Sequence, residues 1–330
     1  MSARSGHDHH DADVTPEAAG LVEVAEGVWA WVQPDGTWWI NNAGAVRGEG
    51  PSGPVAMVID TCATEERTRR FLDAFGAAAG GAPVRFAANT HQHGDHTYGN
   101  CLLPDACALV GHTHMRAGLA EDTLIDGCPE GVWAPRPDWG AVTRRLPDLA
   151  MGDALTVHVG EQVVELRHPG HAAHTTGDVV AWMPGPGVLF TGDLVFSGLT
   201  PLVFMGSVPG ALRSLDWLAG FGATHLVPGH GPVVDAAGID RVLGEHARYY
   251  RFVLDLAGDG LAAGAPPLRV ARGADLGEFA GWDDSERLVL NLHRAYDDLG
   301  GPPCDLFAAL IDAVELNGGP LTTHVCCRPG

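Results

Sequence analysis

Four side chains that can bind a metal ion lie within six residues of one another in the segment 89–96, Asn-Thr-His-Gln-His-Gly-Asp-His. They are His91, His93, Asp95 and His96. Imidazole nitrogens and carboxylate oxygens are ligands that Zn²⁺ binds readily once they are deprotonated. In a turn that follows a strand, His91 and His93 can point one way and Asp95 and His96 another. The spacing therefore favours an enzyme with two metals and a metal-activated water.

Three further donors stand beside glycines near predicted strand ends. His174 lies in Ala-His-Thr-Thr-Gly-Asp (173–178), Asp193 follows Thr-Gly (191–192), and His230 lies in Pro-Gly-His-Gly (228–231). Glycine beside a ligand lets the backbone turn sharply. Loops carried by a rigid scaffold commonly hold functional residues. We therefore expect these three side chains to join the first cluster.

The elements that must position these donors alternate between strands and helices. Two strands at residues 22–32 and 37–42 are predicted to form a hairpin around Pro34-Asp35-Gly36. Residues from 236 onward have a mainly helical pattern. Two comparable halves of strands and helices predict an α/β fold in which two sheets are sandwiched between helices. The other strands are predicted at residues 55–60, 84–88, 108–110, 155–159, 163–167, 179–183, 188–191 and 225–227, and helices at 65–79 and 209–218.

Jointly, these segments resemble the metallo-β-lactamase superfamily of hydrolases, over residues 22–235. The resemblance implies a four-layer αββα sandwich with a C-terminal helical extension. It also implies two Zn²⁺ ions, with iron or manganese as alternatives, and a support for the ligand loop from Asp60. An aspartate bridge resembles glyoxalase-II-like hydrolases more than lactamases with cysteine there. The implied ligands are His91, His93 and His174 for one metal, Asp95, His96 and His230 for the other, and Asp193 for both.

Three other histidines compete for these roles. His171 is a rival of His174, but the segment His-Thr-Thr-Gly-Asp that begins at His174 resembles the family motif more closely. His112 and His114 repeat the H-x-H spacing, although no acidic partner follows them. We expect all three to be non-ligands.

The resemblance implies chemistry by a hydroxide held between the two metals. Two metals that share a water lower its pKa from 15.7 toward ~7. The hydroxide can attack an acyl carbonyl while a metal stabilises the oxyanion, or it can remove a proton alpha to a carbonyl. Asp193 is expected to keep both metals in place and Asp95 to orient the hydroxide.

A narrower resemblance concerns a subgroup found in aromatic (type II) polyketide pathways, whose members cyclise later rings or release the chain as thioesterases. It implies ring closure or thioester release of a poly-β-ketone, free or bound to an acyl carrier protein. The alternatives are a glyoxalase-II-like thioester or lactone hydrolase and, in another class, an iron redox protein of the same fold. The segments that carry the narrower resemblance are 38–44, 138–140, 196–201, 206–208 and 291–295.

Aromatic side chains near the donors predict a wide cleft for a flat, hydrophobic ligand. The alternative is that some of them belong to the core, because tryptophan is commonly mostly buried. The candidate cleft residues are Trp38, Trp39, Trp133, Trp139, Phe196 and Phe204.

The chain has 330 residues, a net charge of −21 and no lysine. Its acidity argues against nucleic-acid binding and against an anionic membrane surface. An acyl carrier protein is itself acidic, so docking it needs a local cationic patch. The candidate patches are Arg67, Arg69 and Arg70 on the first predicted helix, and Arg144 and Arg145 in the insertion at 123–149.

Composition and patterning also suggest how the chain is organised. We expect a disordered tail at residues 1–20, a catalytic core at 21–235 and a helical extension at 236–330 that packs on the core. The N-terminus has no apolar signal segment, and no run approaches ~18 apolar residues. Seven scattered cysteines without C-x-x-C spacing fit a reducing cytoplasm. Helices near 288–293 and 306–316 could bury the surface of a second copy in a homodimer, or belong to the core.

Overall fold

In the computed structural model, which describes residues 18–325, two β-sheets pack face to face. The first eight strands are β1 (Gly20–Ala25), β2 (Val28–Val32), β3 (Ala43–Gly50), β4 (Gly53–Ile59), β5 (Val84–Ala88), β6 (Ala108–His112), β7 (Trp133–Ala134) and β8 (Leu149–Met151). All of these except β7 form the first sheet, in the order β1-β2-β3-β4-β5-β6-β8. Strands β1 to β4 are antiparallel neighbours, whereas β4, β5, β6 and β8 run parallel.

The second sheet comes from the later part of the chain. The strands are β9 (Ala154–Val159), β10 (Gln162–Arg167), β11 (Val180–Met183), β12 (Val188–Phe196), β13 (His225–His230), β14 (Val234–Asp235) and β15 (Leu321–Thr322). The spatial order is β14-β13-β12-β11-β10-β9, and β12 and β13 are parallel. Strand β15 pairs separately with β7.

Helices cover the outer face of each sheet. They are α1 (Glu65–Ala78), α2 (Gly94–Thr97), α3 (Thr113–Glu121), α4 (Val208–Ala219), α5 (Ala236–Ala262), α6 (Pro267–Gly273), α7 (Arg287–Asp298) and α8 (Leu306–Asn317). Thr64, Ser207 and Asp235 cap α1, α4 and α5 by accepting a hydrogen bond from a backbone N–H of the first turn. Such caps satisfy donors that the helix leaves unpaired.

The period of two along a strand divides its side chains between two cores. On β2, Val28 and Ala30 face the apolar layer between the sheets. Trp29 and Trp31 face α1, where their rings lie 5.7 and 5.8 Å from those of Phe75 and Phe71. Helices α4 and α5 pack on the opposite face of the second sheet, and α7 packs on these two helices. The four-layer αββα prediction is therefore confirmed.

The C-terminal helices return the chain to the insertion. After α8, β15 pairs with β7, and the Thr323 hydroxyl donates to the Trp38 carbonyl oxygen at 3.0 Å. The buried Arg67 donates to the His324 carbonyl oxygen at 2.9 Å. Residues 321–325 are thus held against both the insertion and the segment that carries Trp38.

Most predicted elements are present, but the first hairpin is wrong. The tight turn lies between Ala25 and Val28, and residues 33–42 form an irregular segment instead of a strand. Asp35 accepts hydrogen bonds from the N–H and hydroxyl of Thr37, which favours a local turn over strand pairing. The side-chain amide of Gln33 donates to the backbone and side-chain oxygens of Asn41 inside the same segment.

The predicted tail at residues 1–20 lies largely outside the described residues, and β1 already begins at Gly20. The division at residue 235 stays a prediction, although α5 does begin at Ala236. Across residues 18–325, none of the helices combines the length and the apolar character that a membrane crossing needs.

Candidate metal centre

The predicted ligands converge where strands of both sheets end. Residues 91–96 follow β5, which delivers them from the first sheet. The second sheet contributes the other three predicted ligands. His174 lies in the loop before β11, Asp193 lies within β12, and His230 is the last residue of β13. Parallel β12 and β13 share this end, and Phe196 is the register partner of His230.

Seven side chains form two adjoining groups. In each group, one donor atom per residue lies within 4.8 Å of all the others. Nδ1 of His93 and Nε2 of His174 are 2.9 Å apart, so two rings from different sheets meet in the first group. The first group is His91, His93, His174 and Asp193, and the second is Asp95, His96 and His230.

Asp193 lies between the two groups. Its Oδ1 is 3.0 Å from Nε2 of His96. Its Oδ2 is 3.3 Å from Nε2 of His174, 3.4 Å from Nε2 of His230 and 3.7 Å from Nε2 of His91. One carboxylate therefore faces nitrogen atoms of both groups, as a bridging ligand would.

Hydrogen bonds on the far side of three rings orient them. Nδ1 of His174 lies 2.6 Å from the Leu202 carbonyl oxygen, and Nδ1 of His230 lies 2.8 Å from that of Gly36. A carbonyl oxygen only accepts, so each Nδ1 carries the proton and each Nε2 keeps a lone pair toward the centre. His96 is oriented in the same way by a carboxylate.

That carboxylate belongs to Asp60, directly after β4. Its Oδ2 lies 2.8 Å from Nδ1 of His96, and it also accepts from the N–H and hydroxyl of Thr90 at 2.7 Å. Asp60 has a φ of 59°, a costly conformation for a residue with a Cβ atom. The Asp60 side chain is therefore bonded both to Thr90, directly before His91, and to the ring of His96.

Two glycines allow the strands to approach the centre closely. A Cβ atom on Gly229 would lie 1.9 Å from Oδ1 of Asp193. Gly192 has a φ of 51°, and a Cβ atom there would lie 2.5 Å from the Thr90 hydroxyl. The Gly-bracketed motifs therefore make room for the neighbouring carboxylate and for the loop beneath it.

The buried rings differ in charge preference. Burial and neighbouring imidazoles lower the pKa of His91 well below its usual range, and burial lowers that of His174 to about 3. Burial also opposes protonation of His96 and His230, but the negative charge of neighbouring carboxylates, above all that of Asp193, outweighs the effect of burial. They raise the pKa of His96 well above its usual range and that of His230 to about 9. Without a cation, protons would compensate these carboxylates.

The donor set fits a pair of divalent cations. Within residues 18–325, Nε2 of His91, Nε2 of His96 and Oδ1 of Asp193 are buried and form no hydrogen bond, and the last two are both acceptors that face each other at 3.0 Å. Buried polar atoms are rarely left unsatisfied, because their desolvation costs about 1–3 kcal/mol each. Imidazole and carboxylate ligands at this density suit Zn²⁺. The fold and the site thus define a protein with a candidate centre for divalent metal, most simply zinc.

The rival histidines lie elsewhere. Nε2 of His171 is 3.1 Å from the Gly210 carbonyl oxygen, which directs the ring to α4. His112 stacks on His168 with ring centroids 4.2 Å apart, and Nδ1 of His114 lies 3.1 Å from the Thr176 carbonyl oxygen. Among residues 18–325, none of these belongs to a cluster of metal-competent donors.

A cavity of about 420 Å³ opens onto the centre, with Asp95, Asp193 and His230 in its wall. Of the six predicted cleft residues, Trp139 packs behind the wall, with its ring 4.8 Å from that of Trp39. The insertion and the C-terminal helices complete the cavity. Its aromatic and aliphatic lining consists of Trp38, Trp39, Tyr98, Leu124, Pro129, Trp133, Phe196, Leu202, Phe204, Met205, Leu306, Phe307 and Leu310.

Arg287 and Tyr98 also lie in this wall, and neither was predicted from the sequence. The guanidinium of Arg287 lies 4.7 Å from the Trp38 ring centroid, and its Nη2 is 2.6 Å from Oδ2 of Asp284. The Tyr98 hydroxyl donates to Asp122 at 2.7 Å. Tyr98 follows the metal-ligand segment by two residues, so proximity could have indicated it. Arg287 lies nearly 200 residues later in sequence, and no local spacing points to it.

The candidate cationic patch on α1 is largely neutralised. Arg67 is buried and donates to Gln33 and His324. Arg69 and Arg70 form ion pairs one turn apart with Glu65 and Glu66. In the insertion, Arg145 donates to backbone carbonyl oxygens such as that of Cys107 at 2.8 Å.

The family model of the metallo-beta-lactamase superfamily matches residues 36–230, from the irregular segment to the last predicted ligand. The chain belongs to the metallo-beta-lactamase superfamily.

Two curated relatives carry the name hydroxyacylglutathione hydrolase. The one from Synechococcus sp. (strain JA-3-3Ab) is 27% identical over 169 residues, which cover 51% of this chain and 55% of the relative. The one from Thermosynechococcus vestitus (strain NIES-2133 / IAM M-273 / BP-1) is 30% identical over 143 residues, 42% of this chain and 45% of the relative. The chain thus spans about half the length of these relatives.

Solved structures share the fold. DIM-1 metallo-beta-lactamase superposes with a TM-score of 0.54 at 20% identity, over 71% of this chain and 97% of its own. A metallo-beta-lactamase from Pontibacter korlensis gives 0.55 at 19% identity, over 71% of this chain and 99% of its own. The remainder of this chain therefore extends beyond the body that these proteins have in common.

Proposed function

We propose that the chain is a metal-dependent hydrolase of acyl thioesters that holds two divalent cations, zinc in the first instance. The observation that carries the proposal is the place of Asp193, 3.0 to 3.7 Å from four histidine Nε2 atoms of both groups. In the proposed assignment, His91, His93 and His174 hold one cation, and Asp193 is shared. Asp95, His96 and His230 hold the other.

When bound, a pair of divalent cations lowers the pKa of water toward ~7 and polarises a carbonyl oxygen. The residues of this chain supply the rest. The buried rings keep their Nε2 atoms directed inward, and Asp60 holds the proton of His96 on Nδ1. Asp95 lies 3.3 Å from His230 and is placed to orient a nucleophilic water. The apolar walls of the cavity exclude bulk water from the reacting carbonyl.

The relatives favour a thioester over the other candidate bonds. Both carry a name that denotes hydrolysis of an acylated glutathione, itself a thioester. The shared aspartate agrees with the glyoxalase-II-like interpretation of the sequence. This supports the hydrolase alternative better than the polyketide ring cyclase.

Ring closure or release of an aromatic polyketide is the second candidate. The observation in its favour is the cavity of about 420 Å³ with aromatic side chains on several sides, including Trp38, Trp133 and Phe204. Such walls suit flat acyl groups through stacking and burial. Delivery by an acyl carrier protein remains part of this second proposal.

Metal analysis combined with a turnover panel tests these proposals. We expect about two zinc ions per chain, and zinc-dependent hydrolysis of a simple aryl thioester in preference to a β-lactam or a lactone. A diketide thioester that gives a cyclic product instead of an acid would favour the second candidate. Zinc-loaded protein that cleaves no thioester contradicts the first, and an iron-loaded protein that reduces oxygen would favour the redox alternative.

A further inference from the structure

The rim of the cavity is acidic where the insertion meets the metal-ligand loop. Glu121 and Asp122 line the cavity together with His93. The Asp122 carboxylate is held in place, because it accepts from the Tyr98 hydroxyl at 2.7 Å and from the Leu124 N–H at 2.8 Å. Glu121 is the last residue of α3, so the partial negative charge at that helix end lies at the same rim.

The basic side chains near this rim do not offset it. Within residues 18–325, Arg287 is the one arginine that lines the cavity. Its side chain is only 2% exposed, pairs with Asp284 at 2.6 Å and donates to the Thr200 carbonyl oxygen at 3.0 Å. Arg144 contacts the Asp122 carbonyl oxygen, but it lies outside the cavity lining and is 3.8 Å from the carboxylate of Asp126.

Apart from the metal-ligand side chains, Gln92, Thr123 and the paired Arg287, the remaining side chains of the wall are apolar. Glu121 and Asp122 are therefore the acidic groups that a charged end of a substrate meets away from the metal groups. A reacting carbonyl at the metal groups leaves the acyl and thiol ends to extend along aromatic side chains and past Glu121 and Asp122. A carboxylate on either end would meet like charge in a cleft with low-dielectric walls, where repulsion is stronger than in open water. An uncharged end would meet apolar surface instead.

We propose that the cavity selects thioesters whose acyl and thiol portions are uncharged, and that Glu121 disfavours anionic substrates. This inference rests on the proposed function and narrows it. Glutathione carries two carboxylates and one ammonium group, so its thioesters are predicted to be poor substrates. The predicted substrate class therefore differs from the one in the relatives' name.

Two thioesters that differ by one charge test the proposal. They are the S-phenylacetyl derivatives of N-acetylcysteine, which is anionic, and of N-acetylcysteinamide, which is neutral. With zinc-loaded enzyme at pH 8 and low salt, we expect kcat/KM for the neutral compound to be about fivefold higher. This pH lies above the value of about 7 to which burial raises the pKa of Asp284, so Arg287 stays paired. Salt at about 0.5 M should narrow the ratio, because exposed charges are then screened.

Variants at the rim locate the effect. Glu121→Gln should reduce the preference about twofold, and Glu121→Arg should abolish or invert it. The matched control is Glu130→Gln in the insertion that follows α3, because Glu130 is exposed, lies 3.9 Å from Arg136 and is outside the cavity lining. The control should leave the preference unchanged.

An anionic thioester that is hydrolysed as well as its neutral partner at low salt overturns the inference. So does a preference that Glu121→Arg leaves intact. If neither compound is hydrolysed, the proposed function fails, but the inference is still decided by binding. The S-benzyl thioethers of the same two thiols are then titrated against wild type and Glu121→Arg, with the tryptophan fluorescence of the wall as the signal. An unchanged ratio of the two dissociation constants overturns the inference, and a shift toward the anion supports it.

Discussion

Nδ1 of His96 lies 2.8 Å from Oδ2 of Asp60, and the same carboxylate holds the backbone N–H of Thr90 at 2.7 Å. One side chain from the end of β4 therefore fixes both the tautomer of a predicted ligand and the path of the loop that carries the others. Such partners are commonly worth ~10- to 100-fold in metal affinity or activity.

Asp60→Asn should weaken zinc binding by about that factor while the fold persists. Asp60 accepts from the Thr90 N–H at Oδ1 and from His96 Nδ1 at Oδ2, whereas asparagine has one acceptor oxygen. If that oxygen stays on the Thr90 N–H, the amide NH2 faces Nδ1, so the ring shifts its proton to Nε2 and loses the lone pair that faces the centre. Competition with a chromophoric chelator measures the affinity, and circular dichroism checks the fold. Asp73→Asn, on the exposed side of α1, is the control. Equal affinity of Asp60→Asn and wild type would contradict the assignment.

Gly229→Ala should displace the shared carboxylate. A Cβ atom there would lie 1.9 Å from Oδ1 of Asp193, so either the carboxylate or β13 must move. We expect less than two zinc ions per chain, a loss of at least ~10-fold in kcat/KM, and ~1–3 kcal/mol of destabilisation from overpacking. Gly76→Ala is the control, because a Cβ atom on that helical residue meets open space and should stabilise α1 slightly. Full zinc content and activity in Gly229→Ala would show that the strand adapts.

His93→Ala should abolish turnover in a folded protein, whereas His114→Ala should not. Both residues occur in H-x-H segments, but only His93 lies in a donor cluster. Zinc content by mass spectrometry should fall for His93→Ala and stay the same for His114→Ala. If the two variants lose metal to the same extent, His114 belongs to the site and our assignment is wrong.

The sequence indicated which metal-competent residues cluster more fully than it indicated which side chains line the cavity. The seven donors were recognisable because each lies in a short segment with its own spacing or glycines, and each follows a strand or lies within one. Strands were predictable from apolar runs such as that of β4. These are local signals, and the fold preserves them.

What failed was what depends on distant partners. Residues 37–42 have a strand-like composition, yet they form an irregular segment in which the Asn42 side chain donates to the distant Pro228 and Gly231 carbonyl oxygens. Trp139 looked like a cleft residue, but it packs against the Trp39 ring and is not among the described residues that line the cavity. Arg287 lies at the cavity only because α7 packs there. No pattern in the sequence near Arg287 indicates that position.

Arg287→Met should destabilise the protein by about 3–5 kcal/mol, because it leaves Asp284 buried without its partner. Urea unfolding measures this loss. Adding Asp284→Asn should restore part of it, since the unpaired carboxylate is then removed and asparagine tolerates the φ of 54° at that position. Additive losses in the double variant would mean that the pair is not coupled.

Stability should fall in mild acid because of His246. Its ring is buried between α5 and β12, and Nε2 accepts a hydrogen bond from the Phe196 N–H at 2.9 Å. Burial lowers its pKa from 6.5 to about 4. The unfolded chain takes up a proton first, so this contribution is complete above pH 6.5 and is lost as the pH falls toward 4. At pH 5 the loss is about 2 kcal/mol.

His246→Gln keeps an acceptor for the Phe196 N–H but cannot titrate. The difference in unfolding free energy between pH 7.5 and pH 5 should therefore shrink by about 2 kcal/mol in the variant. Parallel urea titrations of metal-free protein at the two pH values give this difference. An identical pH dependence in both proteins would assign the acid sensitivity to other groups.

Strand β15 pairs with β7, and residues 323 and 324 bond to Trp38 and Arg67. These contacts can form only after the C-terminal part of the described chain has been synthesised. On the ribosome, the seven donors emerge long before β15 is made. The loops that carry the donors can thus be complete while the residues that hold the Trp38 side of the cavity in place are still being translated. A nascent chain stalled before residue 321 would lack these contacts, so the wall around Trp38 would be complete only once residues 321–325 have been synthesised.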